Sequence, residues 1–188
     1  MKKIEKLTNK QVKRKIADAL FTLMDTKPLS DIHITEIVGY AKVSRSSFYR
    51  NYASKEDIII ILIQDILEEY KKEINLEQDF YIYENIKKSF SFIYAHKKYV
   101  LNLYDSGYIL LLLEELNFFH ESIIKSPSLP KPLMHMYIGA FFNTAIEWLK
   151  SPSPCSLEEI SKTFYDCIHM CKENLLPNRL KHEKKARA

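Results

Sequence analysis

The sequence is poor in the residues that form tight turns. Three of its 188 residues are glycine and seven are proline, too few for the many short turns of a barrel or a sandwich. Apolar residues make up 46% of the chain and charged residues 28%, values typical of a globular protein that buries a core. The composition therefore excludes an all-β fold and a largely disordered chain.

Long apolar runs and a signal peptide are also missing. The longest apolar runs, 58–63 and 108–113, have about a third of the roughly 18 residues that cross a bilayer. The lysine-rich start of the chain precedes a helical pattern instead of an apolar stretch with a cleavage site. We therefore expect a cytoplasmic protein with no membrane partner.

Cysteine is scarce as well. The three thiols, Cys155, Cys167 and Cys171, are an odd number in a chain large enough to fold without disulfides, so we expect them reduced. Cys167 and Cys171 lie one helical turn apart, and a metal site would need further ligands from elsewhere. We expect them to pack as small apolar residues and predict no metal site.

Charge is distributed unevenly along the chain. Residues 1–57 carry a net charge of +5, residues 58–177 carry −5 and residues 178–188 carry +4. A basic first segment ahead of an acidic body is typical of a nucleic-acid-binding module. The last segment has no apolar periodicity, and we expect a disordered basic tail there.

Helical periodicity dominates the first 60 residues. Apolar residues recur at spacings of three and four over 10–26 and again over 34–41, which predicts two helices. Ser44 has the composition of an N-cap, flanked by Val43 and Phe48 at the positions of a hydrophobic staple, so a third helix is predicted from Arg45. Two short helices joined by a tight turn indicate a helix-turn-helix, whose second helix enters the DNA major groove.

The third helix has distinct faces. At about 100° per residue, Phe48 and Tyr52 point together into the core, while Ser46 and Arg50 point away from it. The exposed face therefore carries small hydroxyl-bearing side chains and a basic side chain.

The run 58–63 is rich in β-branched residues and has the composition of a buried strand. Ser54 and Asp57, three residues apart, instead form a capping-box signature, and apolar positions continue at helical spacing to Tyr70. A long fourth helix is predicted.

These residues carry a resemblance to a known family. Its pattern has a tyrosine, an aromatic residue, a lysine and an aliphatic residue at spacings of three, matched here by Tyr49, Tyr52, Lys55 and Ile58. With the preceding Val-Ser and Phe-Tyr pairs, the stretch from about residue 10 to 60 resembles the N-terminal domain of the tetracycline-repressor (TetR) family of bacterial transcription regulators. Further on, Gly139 followed by Trp148-Leu149 resembles the penultimate helix of one branch of that family.

Two positions depart from the family pattern. Lys42 stands where glycine is common in the turn, at a cost of about 1 kcal/mol if its backbone is left-handed. His33 stands where many members have a threonine or serine cap. Both departures affect the local stability of the turn and its backbone contacts more than the fold.

The resemblance implies a function and a set of DNA contacts. In the family, the third helix reads operator bases while residues matching Tyr49 and Lys55 grip phosphates, and Thr35 is placed to do the same. Arg45 and Arg50 are the side chains here able to bind guanine through two hydrogen bonds, with a phosphate contact as the alternative for Arg50. The predicted DNA-binding residues are Thr35, Ser44, Arg45, Ser46, Ser47, Tyr49, Arg50 and Lys55.

The rest of the chain is predicted to be an α-helical bundle. The predicted helices span 80–95, 99–106, 108–125, 133–150 and 157–175. The resemblance implies that the middle helices enclose a pocket for a small-molecule effector and that the last two form a homodimer interface. The aromatic residues to test as ligand contacts are Tyr104, Phe118, Tyr137 and Phe141, although aromatic residues at helical spacing also form ordinary cores.

The expected protein is thus an all-α regulator. A three-helix DNA-binding domain (1–57) is joined by a long helix to a bundle for ligand binding and dimerisation (58–177), followed by the tail (178–188). We expect a repressor that an effector releases from a palindromic operator. The alternative is a TetR-like co-regulator that acts through a protein partner and hardly binds DNA.

An enzyme is the weakest hypothesis. The sequence has no glycine-rich phosphate loop, no Gly-x-Ser-x-Gly elbow and no His-Glu-x-x-His motif, and it suggests no cofactor. Its paired carboxylates are sequence neighbours on helices, where successive side chains diverge.

Overall fold

The computed structural model describes residues 8–74, 81–123 and 130–175, with the side chains of 171–175 left out. These residues form nine α-helices and one 3₁₀ turn, and they contain no β-strand. The predicted all-α class is therefore confirmed. The predicted basic tail, residues 178–188, lies outside the described residues.

The first four helices follow the predicted pattern closely. Helix α1 spans Asn9–Met24, α2 spans Ile34–Ala41, α3 spans Arg45–Tyr49 and α4 spans Lys55–Tyr70, with a 3₁₀ turn at Leu29–Asp31 between α1 and α2. Each predicted cap is present: Ser44 Oγ accepts from the Ser47 backbone N–H at 3.1 Å, and Ser54 Oγ accepts from Asp57 at 3.1 Å. The run 58–63 lies inside α4, so the helical interpretation of it is correct.

The later helices differ from prediction mainly at their starts. Helix α5 spans Tyr83–Ala95, α6 Lys97–Asp105, α7 Ile109–Ile123, α8 Lys131–Lys150 and α9 Leu157–Leu175. Helix α8 begins two residues before the predicted start because Pro132 stands in its first turn. Proline is tolerated there, since the first N–H groups of a helix have no partner within it.

Residues 8–71 and 98–119 pack as one compact unit. In this first unit, α1 contacts both α2 and α4, and Ile16, Leu20 and Phe21 of α1 are buried. Helix α6 is tied to α1 by Tyr99, whose hydroxyl donates to Asp18 and whose ring meets Phe21 edge-on at 4.9 Å. Burial, reinforced by the Asp18 carboxylate, raises the pKa of Tyr99 to about 12.

The described residues between 72 and 97 and between 120 and 175 form the second unit. Its helices α5, α8 and α9 bury an aromatic cluster centred on Phe90, which meets Phe141 at 4.9 Å, Trp148 at 5.8 Å and Phe164 at 5.6 Å between ring centroids. Edge-to-face pairs of this kind add stability beyond the area they bury. These packing units do not test the predicted division of the chain into functional domains at residues 57 and 177, and that division stays a prediction.

One expectation about the cysteines is wrong. Cys167 is exposed, as is Cys155, because the buried face of α9 is the one that carries Ser161 and Phe164. The side chain of Cys171 lies outside the described residues. In the part of the chain that the structure describes, no helix has the length and apolar character to cross a bilayer, and no three potential metal ligands converge.

Lys42 ends α2 in the left-handed conformation, with φ 54° and ψ 46°. We expect Lys42→Gly to raise the free energy of unfolding by about 1 kcal/mol, because glycine adopts this conformation without a steric clash. Chemical denaturation measures the change. The same substitution at the exposed helical residue Lys15 is the matched control and should lower stability by about 1 kcal/mol. A loss of stability in both variants would contradict the explanation.

Candidate nucleic-acid interface

Buried side chains on one side of α3 fix the helix against the core of the first unit. Phe48 is completely buried and Tyr52 is 4% exposed, with their ring centroids 5.7 Å apart. The Tyr52 hydroxyl donates to the Lys13 carbonyl of α1 at 3.4 Å, and burial, aided by the nearby Asp65 carboxylate, raises the pKa of Tyr52 to about 12. The predicted orientation is confirmed, because Ser46 and Arg50 on the other side are exposed.

The start of α3 is a cluster of hydroxyl groups. Ser44 Oγ lies 2.8 Å from Ser46 Oγ and 2.9 Å from Ser47 Oγ. Ser44 therefore acts as a cap and orders its two neighbours, while Arg45 extends from the same turn into solvent. At the other end, the Asn51 side-chain amide donates to the Ser47 carbonyl at 2.7 Å and helps to end the helix.

Tyr49 is the exposed aromatic residue of this helix. Its side chain is 61% exposed, and its ring meets Phe48 at 5.3 Å with an interplanar angle of 82°. Because Phe48 is fixed in the core, this edge-on contact limits where the Tyr49 ring can lie. The phenol is presented to solvent on the same side of the molecule as Arg45, with which it lines a groove.

An open groove of about 490 Å³ brings together residues from the ends of three helices. Four predicted DNA-binding residues, from three separate segments of the chain, take part in it. The lining residues are Ile32, His33, Ile34, Thr35, Arg45, Tyr49, Ala53, Ser54, Lys55 and Glu56.

Two of those helices, α2 and α4, begin at the groove. The N-terminus of an α-helix carries partial positive charge and backbone N–H groups with no partner inside the helix, and both features favour an anion. Arg45 and Lys55 add full positive charges, while Glu56 adds one negative charge. The charge of the groove therefore favours an anion such as a phosphate group.

The start of α2 is fixed by an ion pair. Glu36 binds Lys27 at 2.6 Å and also accepts from the His33 backbone N–H at 2.9 Å. The Lys27 hydrogen bond, followed by that of His33, lowers the pKa of the Glu36 carboxyl below its usual value. Glu36 thus supplies the half of a capping box that binds the backbone N–H of residue 33, whereas a threonine or serine at position 33 would accept from the backbone N–H of residue 36.

Lys55 is in an environment that the sequence did not predict. Its ammonium donates to the backbone carbonyls of Leu29, Ser30 and Ile32, with distances of 3.0 Å to Ser30 and 3.1 Å to Ile32. The three N–H bonds of the ammonium match these three acceptors in number. The phosphate contact predicted for Lys55 stays a prediction, and it would compete with these bonds.

Sequence reasoning missed several groove residues. His33, Ser54 and Glu56 were not among the predicted contacts, although each lies within one turn of a predicted helix start. That proximity to the starts of α2 and α4 is the signal that would have found them. Outside the groove lining, Tyr40 is also exposed, by 59%, two residues before Lys42.

The four predicted effector contacts do not share one environment. Tyr137 and Phe141 are buried in the second unit, where Tyr137 meets Phe164 at 5.5 Å and Phe141 meets Phe90. Tyr104 and Phe118 belong to the first unit and are 37% and 70% exposed. Binding of an effector at any of the four stays a prediction.

Comparison with solved structures finds a similar fold over most of the chain. A TetR transcriptional regulator from Streptococcus agalactiae 2603V aligns with 85% of this chain and 94% of its own, at a TM-score of 0.59 and 20% identity. A protein assigned to the TetR family from Syntrophomonas wolfei strain Goettingen aligns with 92% of this chain and 100% of its own, at 0.62 and 19%. The chain has the TetR-regulator fold.

A third solved structure with a similar fold is that of the dihydroxyacetone kinase operon activator DhaS, with a TM-score of 0.55 and 17% identity over 85% of this chain and 94% of its own. No protein-family model matches the sequence, and a search of curated proteins finds no match. The TetR fold is therefore shown by the similarity to solved structures, and the groove and α3 are the features that bear on function.

Proposed function

We propose that this protein is a sequence-specific DNA-binding transcriptional regulator that acts in the cytoplasm. The observation that carries the proposal is the groove, in which Thr35, Arg45, Tyr49 and Lys55 meet from three segments of the chain. Three of the solved structures with this fold are of proteins described as regulators or as an operon activator, which agrees with the proposal.

The proposed roles of the individual side chains follow from their hydrogen-bonding groups and charges. Arg45, at the start of α3, binds a guanine base through two hydrogen bonds, and Arg50 binds a base or a phosphate. Thr35 and Tyr49 hold a phosphate at the groove, whose charge favours an anion. Ser46 and Ser47 contribute hydroxyl groups beside them, and Ser44 supports both through its cap.

We further propose a repressor that works as a two-fold dimer on a palindromic operator. One short helix contacts too few base pairs for useful specificity, so two copies related by symmetry are needed. Helices α8 and α9 provide the proposed interface, and their exposed methionines Met136 and Met170 are apolar surface that a partner copy can cover. A small, largely apolar effector then releases the operator.

Replacing Arg45 and Tyr49 separately tests whether Arg45 reads a base and Tyr49 binds a phosphate. Arg45→Ala should weaken binding to the cognate site by about 1–3 kcal/mol and weaken binding to random DNA less, because it reads a base. Tyr49→Ala should weaken both about equally, since phosphate contacts carry no sequence information. Fluorescence anisotropy on both DNAs measures this.

The control for both variants is Lys15→Ala. This substitution removes a positive charge from an exposed position of α1 that does not line the groove, and it should leave the preference for the cognate site unchanged. If Arg45→Ala and Tyr49→Ala gave the same losses on specific and random DNA, the assigned roles would be wrong. If wild-type protein bound no DNA from beside its own gene, the co-regulator alternative would replace the proposal.

Sedimentation tests the dimer. At micromolar concentration we expect a mass of about 44 kDa, twice the 22.2 kDa of one chain. Met170→Glu, which places a charge on the proposed apolar interface, should shift the protein toward monomer. A wild-type monomer that binds one half-site tightly would contradict the dimer.

Effector binding is tested by linkage. A ligand that prefers the non-binding conformation by about 3 kcal/mol weakens DNA binding up to roughly 150-fold, and DNA weakens the ligand by the same factor. Tyr104→Ala should reduce the response without opening a core cavity, because this ring is 37% exposed. The DNA affinity of this variant in the absence of ligand should be nearly unchanged. A ligand found by thermal-shift screening that bound free and operator-bound protein equally would refute induction.

A further inference from the structure

The turn between α2 and α3 carries an unfavourable residue at its left-handed position. Among the described residues that are not glycine, Lys42 alone has a positive φ, at 54°. Its N–H donates to the Gly39 carbonyl at 3.3 Å, and the following Val43 N–H donates to the Val38 carbonyl at 3.1 Å. These bonds close the end of α2 in a motif whose left-handed residue is usually glycine. The turn would therefore form more readily with glycine at position 42.

The charged end of Lys42 has no partner among the described residues. The side chain is exposed, and its ammonium forms no hydrogen bond or ion pair with any residue that the structure describes. An exposed lysine of α1 differs in this respect, because Lys10 pairs with Glu69 at 3.0 Å. A strained residue whose charge meets nothing inside the protein indicates a functional constraint from outside the fold.

The glycine nearest this turn lies three residues earlier, inside α2. Gly39 is exposed, and a Cβ atom at this position would meet nothing within 4 Å beyond the local helical backbone. Glycine lowers the stability of a helix interior relative to alanine, so the fold itself does not favour it there. Positions 39 and 42 thus each carry the residue that the local backbone favours less, and both lie on the surface.

Both positions lie on the side of α2 that carries Thr35, which lines the groove. At about 100° per residue, the Cα atoms of Thr35, Gly39 and Lys42 lie within about 60° of one another around the helix axis. Glu36 and Tyr40 lie on the other flank. A rise of 1.5 Å per residue places Lys42 about 10 Å farther along the helix than Thr35.

We propose that Lys42 binds a DNA phosphate beyond the groove and that Gly39 leaves room for the DNA strand between Lys42 and Thr35. In a helix-turn-helix the first helix crosses the DNA backbone, and the second enters the major groove with its start nearest the bases. Lys42 ends the first of these helices, three residues before Arg45. Neither Lys42 nor Gly39 lines the groove, so this contact is additional to it. The inference rests on the proposed DNA-binding function and deepens it.

A phosphate suits the chemistry of Lys42 better than the edge of a base. A lysine ammonium is a point charge on a flexible four-carbon stem, whereas specific base contacts favour two hydrogen bonds in fixed geometry. Neutralising a phosphate releases counterions, which favours the complex. The left-handed backbone at Lys42 lowers the stability of the free protein, and the phosphate contact stabilises the complex.

Three substitutions separate the charge from the backbone strain. Lys42→Gln removes the charge and keeps a side chain in the left-handed position, Lys42→Gly removes both the charge and the strain, and Lys42→Arg keeps the charge. In the Gln and Gly variants, the slope of log affinity against log salt should fall by about 0.9 unit for each chain bound. Over the decade from 1 M to 0.1 M salt this corresponds to about eightfold weaker binding per chain, on cognate and random DNA alike. Lys42→Arg should keep the wild-type slope, and fluorescence anisotropy over a salt series measures it.

The Lys42→Gly variant distinguishes a DNA contact from a structural role. It should unfold at a higher denaturant concentration than wild type and yet bind DNA more weakly, a combination that a purely structural lysine does not produce. An unchanged salt slope in Lys42→Gln or Lys42→Gly would overturn the proposal. A loss confined to the cognate site would also overturn it, because it would indicate a base contact. Lys15→Gln on α1 is the control and should change the slope by less than about 0.3 unit.

The role of Gly39 is tested by one carboxylate placed on either flank of α2. Gly39→Glu puts a negative charge and added volume on the face that we place against the DNA strand, and Tyr40→Glu puts the same group on the other flank. Because like charges repel strongly at close range, Gly39→Glu should bind both DNAs at least about tenfold more weakly than Tyr40→Glu. Equal losses would refute the placement of this face.

The wild-type protein separates the two levels of the claim. If it bound no DNA, the proposed function would fail, and the phosphate contact with it. If it bound DNA while Lys42→Gln and Lys42→Gly kept its affinity and salt slope, only the assignment of Lys42 would be refuted.

Discussion

The exposed surface of α3, which we propose faces DNA, depends on the burial of Phe48 and Tyr52. Helix α3 has five residues, far fewer than a helix needs to be stable alone in water. It persists because Phe48 is fully buried, Tyr52 is 4% exposed and bonded to α1, and Ser44 caps its start. Since side-chain directions on a helix are fixed relative to one another, burying Phe48 turns Arg50 outward. The chemistry of the exposed face thus follows from the core contact.

The groove lined by Thr35, Arg45, Tyr49 and Lys55 depends on a second constraint, the path of the chain between α1 and α2. That segment is held at one point by the Lys27–Glu36 ion pair and at another by the Lys55 ammonium. Its conformation sets where α2 begins, and the beginning of α2 supplies backbone N–H groups to the groove. The groove is therefore an assembly of three helix ends, each positioned by contacts distant in sequence.

The elements of this surface that could be predicted from sequence are those with local causes. Three such features depend only on residues within one helical turn. They are the bounds of α2, the cap at Ser44 and the steric strain of the left-handed backbone at Lys42. The carbonyl contacts of Lys55 could not be predicted, because they join segments more than 20 residues apart. The exposure of Phe118 was missed for a related reason: periodicity identifies the apolar side of a helix but not which part of it another helix covers.

The central claim is that the surface formed by α3 and the groove reads DNA sequence. The most direct test is to sequence the genomic fragments that the full chain captures, alongside those captured by a chain carrying Arg45→Ala and Tyr49→Ala together. The account predicts that the wild-type fragments share a motif with two-fold symmetry and half-sites about one helical turn apart, and that the double variant loses this enrichment. Fragments without a shared motif, or the same motif captured equally by both proteins, would contradict it.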